Sequence, residues 1–177
     1  KALECMDSSK NNVLDLGTGT GAIALSIAAE CPWARVLGVD VMPAAIELAI
    51  ENRRLNDITN CDFLVSNWFE QIDKQKFDVI VSNPPYIDAN DPHLEQGDVR
   101  FEPKSALVAD AKGLADITHI VDLATQYLND GGWLLVEHGY DQKDAVMGIF
   151  EKTGYLCVTN HVDLSGNPRV TGGQWPF

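Results

Sequence analysis

The chain has 177 residues, 45% of them hydrophobic and 22% charged, a composition that fits one ordinary globular domain with a full core. Its 13 basic and 26 acidic residues leave a net charge of −13. That argues against gripping a polyanion over a large surface, because phosphate neutralisation needs clustered Lys and Arg.

Lys1 is followed by a helix-like Ala2-Leu3-Glu4-Cys5-Met6, and the chain reads as a piece of a longer protein. Asn12 to Leu16 predicts a first strand. Ala22 to Glu30 predicts an Ala/Ile/Leu-rich helix stopped by Pro32. Arg35 to Val39 predicts a second strand ending at Asp40. Pro43 suits a first helical position, and Ala44 to Leu55 continues that helix. Cys61 to Ser66 and Phe77 to Ser82 predict the third and fourth strands. Ile87 to Lys112 has little periodicity and many Asp, Pro and Gly residues. Loops of that length inside a domain are commonly functional. Leu114 to Leu128 carries Ile117, Ile120, Val121, Ala124 and Leu128 at helical spacing, with Gly131-Gly132 expected to break it. Trp133 to Glu137 predicts a fifth strand, Gln142 to Lys152 a helix stopped by Gly154, and Tyr155 to Val162 a sixth strand. Arg169 to Trp175 is a candidate seventh.

Strands and helices thus alternate, and the strands read as continuous apolar runs. The expected fold class is α/β, a doubly wound, mostly parallel, seven-stranded sheet with helices on both faces.

Asp15-Leu16-Gly17-Thr18-Gly19-Thr20-Gly21 joins the first strand to the first helix. Glycines let the backbone take positive φ and approach a ligand, and the helix start presents free N–H groups. Asp40 closes the next strand about 20 residues past this loop, where a carboxylate can take both hydroxyls of a ribose. Gly17-x-Gly19-x-x-Ala22 formally satisfies a dinucleotide fingerprint, itself weak evidence. Asp15 would face a pyrophosphate unfavourably and suits a sulfonium or ammonium better. A P-loop is excluded, since no Gly-Lys-[Ser/Thr] follows.

Asn83-Pro84-Pro85-Tyr86 ends the fourth strand. The prolines forbid continuation and stiffen the turn, which holds an amide and an aromatic ring at the carboxyl end of a strand. By itself the tetrapeptide reads equally as a strand-ending turn. With the glycine loop and Asp40 it resembles the class I S-adenosylmethionine-dependent methyltransferases, of Rossmann-like fold. The segments Arg100-Phe101-Glu102-Pro103, Ala106-Leu107, Gly113-Leu114, Gly131-Gly132, Glu137-His138-Gly139 and Asp163-x-x-Gly166-Asn167-x-Arg169-Val170 narrow the resemblance to the HemK/PrmC family, over essentially the whole chain.

That resemblance implies a protein-(glutamine-N5) methyltransferase acting on peptide-chain release factors, with S-adenosylmethionine as donor and S-adenosylhomocysteine as product. It implies that residues 1–177 are the catalytic domain and that an amino-terminal recognition domain is missing from this chain. It places the cofactor's amino-acid part on Gly17, Thr18, Gly19, Thr20 and Gly21, its ribose on Asp40 and its adenine beside Trp68, with Asn83 also against the cofactor. Asn83, Pro84, Pro85 and Tyr86 would hold the substrate glutamine, with Asn83, Pro84 and Tyr86 serving the reaction. On residues alone Trp68 reads as a core or rim aromatic.

Four further expectations complete the reading. Cys5, Cys31, Cys61 and Cys157 form no C-x-x-C pair, which argues against zinc or redox chemistry, and Cys31 and Cys157 read as core thiols of a reducing compartment. His93, His119, His138 and His161 lack metal-ligand spacing, and His138 reads as a structural hydrogen-bonding residue. No membrane span or signal peptide is visible, so no membrane contact is expected; the net charge argues against direct nucleic-acid contact, and a cytoplasmic monomer is expected. Gly172-Gly173-Gln174 repeats the Gly-Gly-Gln of the family's substrates, and coincidence within a terminal strand is the expected explanation. Rival readings are a ribosomal-protein glutamine methyltransferase, a nucleic-acid amino methyltransferase and a non-catalytic nucleotide-binding module.

Overall fold

A computed structural model describes residues 1–6, 12–85 and 113–177, and the backbone of 87–88 and 108–109. Tyr86, His93, the Arg100-Phe101-Glu102-Pro103 and Ala106-Leu107 segments, and all but the Asp88 backbone of a loop whose acidic residues Asp88, Asp91, Glu95 and Asp98 read as solvated charge, lie outside the described residues.

A short 3₁₀ turn, Ala2–Cys5, precedes β1 (Asn12–Leu16), α1 (Ala22–Glu30), β2 (Arg35–Asp40), α2 (Pro43–Leu55), β3 (Cys61–Val65) and β4 (Phe77–Ser82). After the two-residue strands β5 (Ile87–Asp88) and β6 (Val108–Ala109) come α3 (Ala115–Ala124), β7 (Leu128–Glu137), α4 (Lys143–Thr153), β8 (Leu156–Val162) and β9 (Pro168–Gln174). The main sheet has seven strands in the order β3-β2-β1-β4-β7-β9-β8. Its first five members are parallel, whereas β9 runs antiparallel to both β7 and β8. The expected mostly parallel seven-stranded sheet is therefore what forms.

The apolar runs divide between two faces by strict alternation. Leu14, Leu16, Ile80, Leu134 and Val136 face one core with Ile117, Ile120, Val121 and Phe150 of α3 and α4. Val13, Val79, Val81 and Leu135 face the other with Ala24, Leu25, Ile27 and Ala28 of α1. From the central pair β1 and β4, successive strands are laid outward in opposite directions. The gap between them is the switch point of the topology, and the loops leaving both strands diverge from its carboxyl edge.

Three expectations need correction. The helical spacing of Ile117 to Leu128 runs past the real helix, which ends at Ala124. Leu128 opens β7 instead, paired to Phe77, and Gly131-Gly132 lie inside that strand rather than breaking a helix. Gly131 has φ +73°, and a Cβ there would lie 2.6 Å from the Phe177 ring. Gly131 thus lies against the chain's own tail, whose Trp175 amide donates to Gly132 O at 2.8 Å. Cys157 is exposed on the edge strand β8, with φ +52°, and it is Cys61 that joins Cys31 in the core. The third strand stops at Val65, because the Ser66 amide turns to Asp40 O and the Ser66 hydroxyl knots the next loop.

Gly172-Gly173-Gln174 is built into β9 at the end of the β7 pairing away from Glu137. A Cβ on Gly172 would lie 2.5 Å from Leu135, and one on Gly173 would lie 2.8 Å from Phe150. The Gln174 amide donates to Gly131 O at 3.0 Å. Packing thus favours glycine at 172 and 173, and a hydrogen bond ties down Gln174.

Candidate functional site

The glycine loop is held from below, from the side and from behind. Below it, Asp15 is 1% exposed. Its Oδ2 accepts the Thr18 hydroxyl at 2.6 Å and the Ala24 amide at 3.1 Å. Gly21, the residue before α1, has φ +80° and no side chain to cap the helix. Asp15 supplies that cap from the neighbouring strand, satisfying one of the amides a helix start leaves free. At the side, Thr18 N donates to Val39 O at 2.8 Å, tying the loop to β2. Behind it, Asn52 Nδ2 on α2 donates to Thr20 O at 2.9 Å.

Asp40 turns both carboxylate oxygens to backbone amides. Gly19 N donates to Oδ2 and Met42 N to Oδ1, each at 2.9 Å. An ionised carboxylate has about four acceptor positions, so two remain open for a diol. The acid is fixed in direction before any ligand arrives, and the side chain is half-buried.

Trp68 sits in the turn after β3 with φ +48°, a left-handed conformation unusual for a bulky side chain. Such strain persists where neighbours hold it, and it clusters at functional sites. Ser66 is the holder: its hydroxyl donates to Trp68 O at 2.8 Å and accepts Gln71 N at 3.1 Å. The indole is half-buried against the larger core.

Asn83 follows the last residue of β4 and is exposed, Pro84 is buried and Pro85 half-buried. Just before it, the buried Ser82 hydroxyl donates to Leu16 O at 2.9 Å, pinning the end of β4 to the end of β1. A Cβ on Gly17 would lie 3.4 Å from Trp68 Cζ3 and 4.0 Å from Asn83 O. Gly17, Trp68 and Asn83, distant in sequence, therefore meet at one point above the switch between β1 and β4. Tyr86 is outside the described residues.

The electrostatics of this edge are unusual at Asp15. Burial pushes its carboxyl up to about 7, against the opposing hydrogen bonds from Thr18 and Ala24, with the nearby Asp40 charge adding to the rise. Asp15 Oδ1 is buried and has no hydrogen-bond partner. Away from the loop, His138 follows β7 fully buried. Its Nδ1 lies 2.8 Å from Gly139 O, while Nε2 meets Thr171 Oγ1 at 2.9 Å and Asn160 Nδ2 at 3.0 Å. Burial pushes its pKa below the ordinary value. Both ring nitrogens are engaged within the fold, as expected of a structural residue. Among the described residues no cluster of His, Cys, Asp and Glu could hold a metal ion. No described helix is long and apolar enough to cross a membrane.

Sequence reasoning singled out the glycine loop, Asp15, Asp40, Trp68 and Asn83, and the fold brings them to one edge. It did not find Ser66, Ser82 or Asn52, which position them. An isolated hydroxyl at a strand end carries no periodicity to detect.

An open edge of this kind suits an adenosyl group bearing an amino acid. Gly17, at φ +69°, leaves room where a side chain would touch Trp68. Asp40 offers acceptors, and the orphaned Asp15 oxygen calls for a donor or a cation.

A family model described as "Methyltransferase small domain" matches residues 2–101. A release factor glutamine methyltransferase from Aliivibrio fischeri is 52% identical over 175 residues, covering 98% of this chain and 62% of that protein. One from Salmonella typhimurium is 56% identical over 163 residues, covering 92% and 59%. The chain thus spans about six-tenths of the length of these relatives. A solved structure of a 16S rRNA methyltransferase from T. thermophilus, in complex with AdoMet and guanosine, superposes with a TM-score of 0.66 at 21% identity. It covers 98% of this chain and 41% of that one, a likeness of fold.

Proposed function

Because the chain belongs to the methyltransferase small domain family, in its HemK/PrmC branch, we propose that it transfers a methyl group from S-adenosylmethionine to the side-chain amide nitrogen of a glutamine in peptide-chain release factors. The observation that carries this reading is the meeting of Gly17, Trp68 and Asn83, which sets a cofactor loop against a stiff amide-bearing turn. The names of the relatives support the substrate. Residues 1–177 would be the catalytic domain, and the further length of the relatives would contain the part that recognises the release factor. The reading carries with it a cytoplasmic monomer that leaves S-adenosylhomocysteine as product.

Each residue then has a task. Gly17 to Gly21 would take the amino-acid part of the cofactor, Asp40 the ribose hydroxyls and Trp68 the adenine face. The bound cofactor supplies an electrophilic methyl group on a sulfonium. A carboxamide nitrogen is a poor nucleophile, since its lone pair is delocalised into the carbonyl, so alignment is the main requirement. The Asn83 side-chain oxygen and the Pro84 carbonyl would accept the two amide hydrogens, aim the nitrogen and stabilise its developing positive charge until it gives up one proton to solvent. Pro85 stiffens the turn. Tyr86 would wall the pocket with its ring face toward that charge.

A methyl-transfer assay run in parallel on a release factor, a ribosomal protein and nucleic acid tests the proposal. Methylation of the release factor glutamine alone is the expected result. Transfer only to one of the others, or cofactor binding with transfer to none, would overturn it.

A further inference from the structure

The buried carboxyl under the glycine loop has work left over after the fold is accounted for. Oδ2 of Asp15 is fully used by Thr18 and Ala24, while Oδ1 has no partner although the residue is 1% exposed. Neither protonation state resolves this within the fold. Ionised, Oδ1 is an uncompensated acceptor; protonated, it is an O–H with nothing to receive it. A buried polar atom left in that condition costs free energy and points to a group that arrives later.

The neighbouring groups favour a cation. From β2 the Asp40 carboxylate acts on Asp15, and from β3 the Cys61 thiol, pushed up to about 12 mainly by burial, stays neutral. α1 contributes only Glu30, at its far end, and β4 only Asp78, beside Asn12. α2 lies beyond, with Glu47, Glu51, Arg53 and Arg54, and Arg53 is engaged with Cys61 O and Asp62. The loop's centre is open, since a Cβ on Gly19 would meet nothing within 4 Å.

We propose that Asp15 is a proton-exchanging counter-ion of the loop: a cationic group seated there displaces the Asp15 proton to solvent, and cofactor uptake releases a proton. This rests on the cofactor reading above and deepens it. The balance is one carboxylic acid and one ammonium giving a carboxylate, the same ammonium and a solvated proton. Direct contact is not required, because in a low-dielectric gap a unit charge acts strongly over several ångströms. A carboxyl that titrates near neutrality in the free protein makes the exchange measurable there.

The test is calorimetry on the chain in buffers of differing ionisation enthalpy, with three ligands. S-adenosylhomocysteine carries an ammonium and a carboxylate but no sulfonium, S-adenosylmethionine adds the sulfonium, and methylthioadenosine carries none of these charges. The first two should release about half a proton per molecule at about pH 7 and nearly one at about pH 6, and methylthioadenosine none. The Kd for S-adenosylhomocysteine should rise roughly tenfold between about pH 7.5 and 5.5. In Asp15→Asn, which keeps an oxygen for Thr18 and Ala24, that dependence should vanish. If the variant does not fold, the wild-type proton count decides. Tight binding without proton release, or equal release with methylthioadenosine, would overturn the inference while leaving the cofactor reading intact. Failure of all three ligands to bind at any pH would overturn both.

Discussion

Gly17 and Trp68 are set so close that one methyl group would span the gap between them: a Cβ on Gly17 would lie 3.4 Å from the indole edge. Gly17 also has φ +69°, where any side chain is strained. Gly17→Val should raise the Kd for S-adenosylhomocysteine by roughly tenfold or more, the equivalent of about 1–3 kcal/mol of strain. Isothermal titration checks this, and an unchanged Kd would separate Gly17 from the cofactor site.

Asp40 joins the two halves of the proposed cofactor site, because the carboxylate proposed to take the ribose also holds Gly19 N. Asp40→Ala should weaken cofactor binding about 10- to 100-fold, the range for hydrogen bonds to a charged acceptor. An analogue without the 2′- and 3′-hydroxyls should lose affinity on the wild type and almost none on the variant. A hydroxyl effect of equal size on both would disprove the ribose contact.

Asn83 is proposed to act on the acceptor amide during transfer. Asn83→Ala should lower turnover on a release factor by about 10²-fold or more, while cofactor Kd stays within roughly threefold. Single-turnover and binding measurements on the same preparation separate the two. Wild-type-like turnover would sink the alignment mechanism.

His138 gives the fold a dependence on acid. Burial holds its folded pKa below the unfolded value, and Nε2 is needed as an acceptor for Thr171 and Asn160. The stabilisation is therefore present above the ordinary histidine value of about 6.5 and lost as pH falls through the lower folded value. Asp15 has the opposite sign, its raised pKa giving stability that is full below about pH 4 and lost as pH rises through about 7. Urea melts across pH should show His138→Asn less stable than wild type near neutrality, with the difference shrinking in acid. A constant difference would refute the assignment.

Gly173→Ala should lower the melting temperature by roughly 3–10 °C, from about 1–3 kcal/mol of overpacking. The new methyl would lie 2.8 Å from Phe150 and 2.9 Å from Tyr155. Thermal unfolding monitored by circular dichroism measures it. An unchanged midpoint would mean the β9 glycines are not packing residues.

Much of this architecture is visible in the amino-acid order, because buried parallel strands must be apolar on both sides. β1 and β4 therefore stand out with their correct ends. The glycine loop is legible for a different reason, since Gly17, Gly19 and Gly21 all take positive φ, and Asp40 is legible from its place at the end of β2. Leu128 misled because one buried leucine fits a helix period as well as a strand, and only its pairing to Phe77 decides. Cys157 misled because edge position on β8 is a property of strand order, which local pattern does not encode. Ser66 and Asn52 were silent because their partners are backbone oxygens, which every residue has.

The Ser82 hydroxyl on Leu16 O has a kinetic consequence. It locks the roots of the two loops together one residue before each begins its own course. Their separation is thus a property of the sheet, set during folding and independent of either ligand. Under the proposed reading, neither methyl donor nor acceptor has to arrive first to bring the roots into register.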